Sequence, residues 1–165
     1  MANERKTEII VRNHFNKYLD SVEMEEQKSD NPKIDKLLKT ASKKGNGQGY
    51  PEFIITYKTN PDIIIVVECK ADPTKHESVN KDKYSEYAVD GALLYSSYLS
   101  KDFDVLSIAV SGENKRELKV SHFLQLKGEK QAIQKFDDKL LPVSDYLNGY
   151  LKSPEKFRQD YLTLL

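Results

Sequence analysis

Three charged residues in this chain are spaced for chemistry on a phosphate: Glu52, Glu68 and Lys70. Residues 53–57 and 63–67 are apolar, β-favouring runs, and Lys58-Thr59-Asn60-Pro61-Asp62 between them is turn chemistry, so the stretch predicts a β-hairpin. In a hairpin centred on Asn60, residues equidistant from it face one another, which sets Glu52 against Glu68. Such partners share a face with Cβ atoms about 4.5–5.5 Å apart, and Lys70, two residues beyond Glu68, falls on that face too. Two carboxylates so close repel unless a cation lies between them, and hard oxygen ligands select Mg2+, with Mn2+ as a substitute. A lysine beside the ion can orient a water or accept its proton, while the ion lowers that water's pKa and offsets charge on the phosphorus under attack. The same repulsion predicts that removing Glu68 leaves stability unchanged or slightly raised. A slip of one residue would set Glu52 against Cys69, on the wrong face.

Other groups offer themselves for accessory roles. Glu8 lines up at helical spacing with Val11 and Phe15, the core-facing side; a salt bridge to Arg12, one turn on, is the competing assignment. Lys75 and His76 suit a phosphate contact or, for His76, a general acid, against an ordinary solvated loop. Lys43 and Lys44 stand among glycines, a composition that fits a clamp on a DNA backbone or an unstructured loop. Tyr84, Tyr87, Tyr95 and Tyr98 suggest base stacking, but their spacing assigns them to the core and rim of a helix. Gly91 and Ala92 would let that helix approach the sheet.

The elements that must position these groups follow from periodicity. Residues 7–22 repeat apolar side chains at three- and four-residue steps, an amphipathic helix with Thr7 or Asn3 as its cap, and the polar segment 23–30 closes it. Pro32 opens a second helix running to Lys43, followed by a glycine-rich loop to Gly49. Residues 63–67 are apolar at every position, as in a central strand covered on both faces. Helical spacing returns from Tyr84 to Tyr98, residues 104–111 form a buried strand, Ser111-Gly112-Glu113-Asn114 turns, and residues 117–126 return as a strand. Residues 129–141 and 154–165 read as helices. The order predicts an α/β domain over residues 1–150, a mixed central sheet flanked by helices, with residues 151–165 as a C-terminal helix.

Charged residues make up 32% of the chain, so a Glu-x-Lys triplet alone carries little information. Specificity comes from the conjunction of an apolar strand ending in Glu-Cys-Lys, an acid opposite, and a helix and strand downstream. Lys+Arg and Asp+Glu both number 26, giving no net charge; a protein that grips DNA unaided usually carries a positive excess, so tight autonomous recognition is not expected. The single cysteine, Cys69, excludes an internal disulfide and a cysteine-based zinc cluster and fits a reducing cytoplasm. No apolar run approaches the roughly 20 residues that span a bilayer, and the polar start predicts no secretory signal.

Gly49-Tyr50-Pro51-Glu52-Phe53 followed by Glu68-Cys69-Lys70 resembles the PD-(D/E)xK nuclease signature. Glu68-Cys69-Lys70-Ala71-Asp72, then Lys75-His76-Glu77-Ser78 and Tyr87-Ala88-Val89-Asp90-Gly91-Ala92-Leu93, is similar to the N-terminal nuclease domain of single-chain type IIG and type I-like restriction-modification enzymes. The resemblance spans residues 7–126 and implies a restriction-endonuclease-like core and a cytoplasmic, Mg2+-dependent endonuclease acting on double-stranded DNA. In it Glu52 and Glu68 ligate the metal, Lys70 positions the water, and Glu8 assists from the first helix. It further implies methyltransferase and target-recognition domains in the same polypeptide, joined through residues 151–165, with transient dimerisation on DNA. In two respects the chain departs from the family: Glu52 stands where Asp is usual, and only two of the family's three early strands are legible. A stand-alone structure-specific nuclease such as a junction resolvase is the alternative enzyme, and a degenerate nuclease fold that only binds DNA or a partner is the alternative without catalysis.

Overall fold

A computed structural model describes residues 3–135 and 137–151. Six strands form one sheet in sequence order: β1 (Val22–Glu25), β2 (Phe53–Tyr57), β3 (Asn60–Lys70), β4 (Asp104–Ser111), β5 (Lys119–Gln125) and β6 (Ile133–Lys135). All neighbours are antiparallel except β3 and β4, which run parallel from Ile63↔Asp104 to Lys70↔Ser111. Parallel neighbours need a long crossover, and here it contains α3 (Ala88–Leu99). The protein is therefore mixed α/β, with a mostly antiparallel sheet and flanking helices. Among the described residues no helix is long and apolar enough to cross a membrane.

The alternation of β3 divides the core. Ile63, Ile65, Val67 and Cys69 point to one face, where Val11 and Phe15 of α1 (Glu4–Asn16) and Tyr146 of α4 (Val143–Tyr146) cover them. Ile64 and Val66 point to the other, against Ile34 and Leu38 of α2 (Pro32–Leu38) and Tyr95 and Leu99 of α3. Residues 63–69 are buried without interruption, as the apolar run predicted for a doubly covered strand.

The predicted hairpin register holds: Phe53↔Val67, Ile54↔Val66, Ile55↔Ile65 and Thr56↔Ile64 all lie equidistant from Asn60. The turn is tighter than expected, because β3 already begins at Asn60 and the register shifts at Thr56/Tyr57. Other expectations need correction. The first helix ends at Asn16, and Val22 to Glu25, assigned to the helix and its polar exit, form β1. Their apolar–acidic alternation is a strand signal of only four residues, and Val22 also fits the helical spacing before it. The second helix ends at Leu38 rather than Lys43. Tyr84 precedes α3, and Tyr87 is its N-cap residue. Residues 129–141 are not helical among the described residues: Ile133, Gln134 and Lys135 instead satisfy the outer edge of β5 as β6. The expected C-terminal helix, 154–165, lies outside the described residues.

Candidate active site

The candidate site begins where the β2–β3 ladder stops. Paired residues end at Phe53↔Val67. Beyond them Pro51 has no N–H to offer a ladder, and the Glu52 N–H donates instead to Glu68 Oε1 at 3.0 Å. Glu52 and Glu68 are thus neighbours, as predicted, but through a backbone-to-carboxylate bond rather than as a facing pair.

Glu68 continues the Ile64–Val66 face and is fully buried. Its second oxygen, Oε2, takes a hydrogen bond of 2.5 Å from Lys43 Nζ, whose side chain is 17% exposed. Burial pushes the Glu68 carboxyl above its ordinary pKa, and the Lys43 charge and hydrogen bond, together with the Glu52 N–H, oppose the rise. Burial also disfavours the Lys43 ammonium, but attraction to Glu68 outweighs it and holds this pKa above the usual lysine value. A Cβ at Gly91 would be tight, 3.0 Å from Tyr84 O, 3.1 Å from Glu68 Oε2 and 3.2 Å from Lys43 Cε. The glycine predicted to let α3 approach the sheet makes room for this ion pair.

Helix α1 delivers two more acids. Asn3 is its cap, accepting from the Arg5 N–H. Thr7, the other cap candidate, is buried; its Oγ1 donates to Gly112 O at 2.6 Å and lies 3.3 Å from Lys70 O. That contact pins the first turns of α1 across the ends of β3 and β4. Glu4 and Glu8, on the same face of the helix as Thr7, are brought to Glu52 and Lys70. Burial, a hydrogen bond with Glu8, the charge of Glu68 and a hydrogen bond with Glu4 push the Glu52 carboxyl up to about 10. Lys70 Nζ lies 3.8 Å from Glu4 Oε2. Arg12, the rival partner for Glu8, is instead engaged by Glu26, with Nη2–Oε1 2.6 Å and Nε–Oε2 3.0 Å.

The remaining candidates fall elsewhere. His76 spans two strands, with Nδ1 2.8 Å from Ser111 Oγ and Nε2 2.8 Å from Ser121 Oγ, and burial lowers its pKa to about 4. A ring so held is neutral at physiological pH and ties its loop to the sheet, which leaves the general-acid role without support. Lys75 lies over the Tyr87 ring, 5.0 Å from its centroid. Lys44 is exposed. Tyr95 is buried, as its spacing predicted, and its hydroxyl accepts from the Tyr50 N–H at 3.2 Å. Sequence reasoning missed Glu4, although its four-residue spacing from Glu8 was a usable signal, and of Lys43, offered for a DNA backbone or an unstructured loop, it missed the pairing with Glu68.

These residues bring together four carboxyls and two ammonium groups, Lys43 and Lys70. Among the described residues no group of three or more His, Cys, Asp or Glu is arranged to hold a metal ion. A hard divalent cation needs only one or two protein carboxylates, taking its other ligands from water and phosphate. The donor set fits such an ion in two ways: it is all carboxylate oxygen, and a positive charge, the Lys43 ammonium, is already accepted at Glu68 Oε2. Comparison with family models, curated proteins and solved structures finds no match to this chain.

Proposed function

We propose that this chain is a Mg2+-dependent DNA endonuclease of the PD-(D/E)xK type, the cleavage module of a restriction-modification enzyme. The observation that carries the proposal is the meeting of the Glu52 N–H with buried Glu68 where the β2–β3 ladder ends, on a doubly covered strand with Lys70 two residues on. Strand β1 supports it by supplying a third strand ahead of the crossover helix, and α1 by bringing Glu8 to Glu52.

Glu68 and Glu52 would hold the ion, with Glu8 and Glu4 adding negative charge behind Glu52. When bound, Mg2+ supplies Lewis-acid chemistry, lowering the pKa of a water and offsetting charge on the scissile phosphate. Lys70, at the rim of the cluster, orients the attacking water and offsets charge on the phosphate. Target choice resides in other domains, in keeping with a net charge of zero.

The pairing of Lys43 with Glu68 favours a second reading, a degenerate nuclease fold in which a lysine has filled the site. Nicking of supercoiled plasmid with Mg2+ or Mn2+ separates the two. The wild type should nick, and Glu68→Gln and Lys70→Ala should each lose at least about 100-fold, the usual scale for a positioned charge-stabilising group. Lys70→Ala should keep its thermal midpoint. No nicking with either ion, even at enzyme in large excess over plasmid, would favour the degenerate form, and undiminished nicking by Glu68→Gln would refute the assigned site.

A further inference from the structure

Glu68 presents two oxygens, and both are in use: Oε1 by the backbone N–H of Glu52, Oε2 by the Lys43 ammonium. The first donor is fixed by the chain. The second sits at the end of four rotatable bonds, on a strap of residues 42–49 that turns through Gly45 and Gly47 at φ of 90° and 92°. Lys43 also lies 5.6 Å from the Tyr95 ring centroid and lines a cleft of about 340 Å3 shared with Ser42, Gln48, Tyr50 and Ser85. The ammonium therefore has both a partner that a divalent cation would want and a neighbouring space to enter.

We propose that Lys43 is a displaceable internal counter-ion: it neutralises Glu68 in the metal-free protein and swings into the adjoining cleft when a divalent cation takes Glu68. The proposal rests on the reading of Glu68 as a metal ligand. A buried carboxylate without a partner is costly, so the free protein gains from a resident cation. An ammonium is no Lewis acid and cannot acidify a bound water as a metal ion does, so the resident form is catalytically silent. Because one oxygen serves both cations, each weakens the other's hold, and Lys43 sets the divalent concentration at which the site becomes active.

Two measurements test this without reading activity. In 1H–15N spectra of lysine ammonium groups, the Lys43 signal, assigned by its absence in Lys43→Arg, should be protected in the metal-free wild type and lose that protection at saturating Mg2+. By calorimetry with Mn2+ at fixed pH, Lys43→Met should bind about tenfold more tightly than wild type, equivalent to roughly 1.4 kcal/mol, and Glu68→Gln should lose the site. A Lys43 signal unchanged by saturating Mg2+, or Mn2+ affinity in Lys43→Met equal to or weaker than wild type, would overturn the exchange while leaving the metal site standing. Mn2+ binding absent from wild type, or unaffected in Glu68→Gln, would remove the metal reading itself and the exchange with it. The spectra use folded wild-type protein, so the test survives a Met variant that fails to fold.

Discussion

At the scale of single residues, the two central acids of the cluster have opposite effects on stability. Repulsion alone predicts that removing Glu68 leaves the fold no worse, and the same logic extends to Glu52. For Glu68 the structure reverses that expectation: its removal takes the partner of the Lys43 ammonium and leaves the Glu52 N–H without its acceptor, and a buried donor left unpaired costs about 1–3 kcal/mol. Glu68→Ala should therefore lower the thermal midpoint of the metal-free protein. Glu52 keeps the original sign. Its carboxyl, at about 10, holds a proton in the folded chain that the unfolded chain releases near the ordinary glutamate value. The stability this contributes is present in full below that ordinary value and is lost as pH rises toward 10. Melting curves from pH 6 to pH 9 should show a falling midpoint in the wild type and a flatter profile in Glu52→Gln. Equal slopes in the two proteins would mean that Glu52 is ionised in the folded state. The acids and Lys70 were legible because register arithmetic places charges at a strand end. Lys43 was not, because a glycine-rich loop has no period from which to infer where a side chain points.

Among the elements, those long enough to repeat a pattern were legible, and the two short outer strands were not. Strand β4 matched its expected bounds of residues 104–111, while β1 and β6, of four and three residues, offer too few repeats to outweigh helical spacing beside them. The crossover segment before α3 is a different case, ordered by one side chain and not by any repeat. Asp90, fully buried in the first turn of α3, accepts from the Ser78 hydroxyl, the Ser78 N–H at 3.1 Å and the Lys83 N–H at 2.9 Å. This fixes both ends of the bend between Ser78 and Lys83, which leaves Val79 95% exposed. Next to Lys83, the Tyr84 carbonyl oxygen lies against Gly91, beside Glu68. Asp90→Ala leaves buried donors unpaired, at about 1–3 kcal/mol each, so a loss of several degrees in melting temperature is expected. Amide exchange should accelerate locally at residues 78–83. Protection unchanged there would show that the bend is held by something other than Asp90.

At the scale of the molecule, four of the five strand pairings among the described residues are antiparallel and one is parallel, and that one joins two hairpins. Strands β2 and β3 meet across a two-residue turn, and β4 meets β5 across a short loop, whereas β3 and β4 come together only after residues 71–103 have closed on themselves. Closing a long segment costs chain entropy before any contact is gained, so the order of events in folding is set by the topology. The two hairpins should form early, and the parallel seam with its crossover helix should dock late. Kinetically, Ile55→Val in the β2–β3 hairpin should slow refolding, whereas Leu99→Ala, on the inner face of α3, should chiefly hasten unfolding. Stopped-flow chevrons of the two variants measure this, and a Leu99→Ala effect confined to the refolding limb would place α3 in the nucleus instead. The carboxylates of Glu52, just ahead of β2, and of Glu68 on β3 would then be neighbours before the crossover helix arrives, and their mutual repulsion would retard the first step of folding. Refolding of the wild type at high pH should accordingly be slower than that of Glu52→Gln.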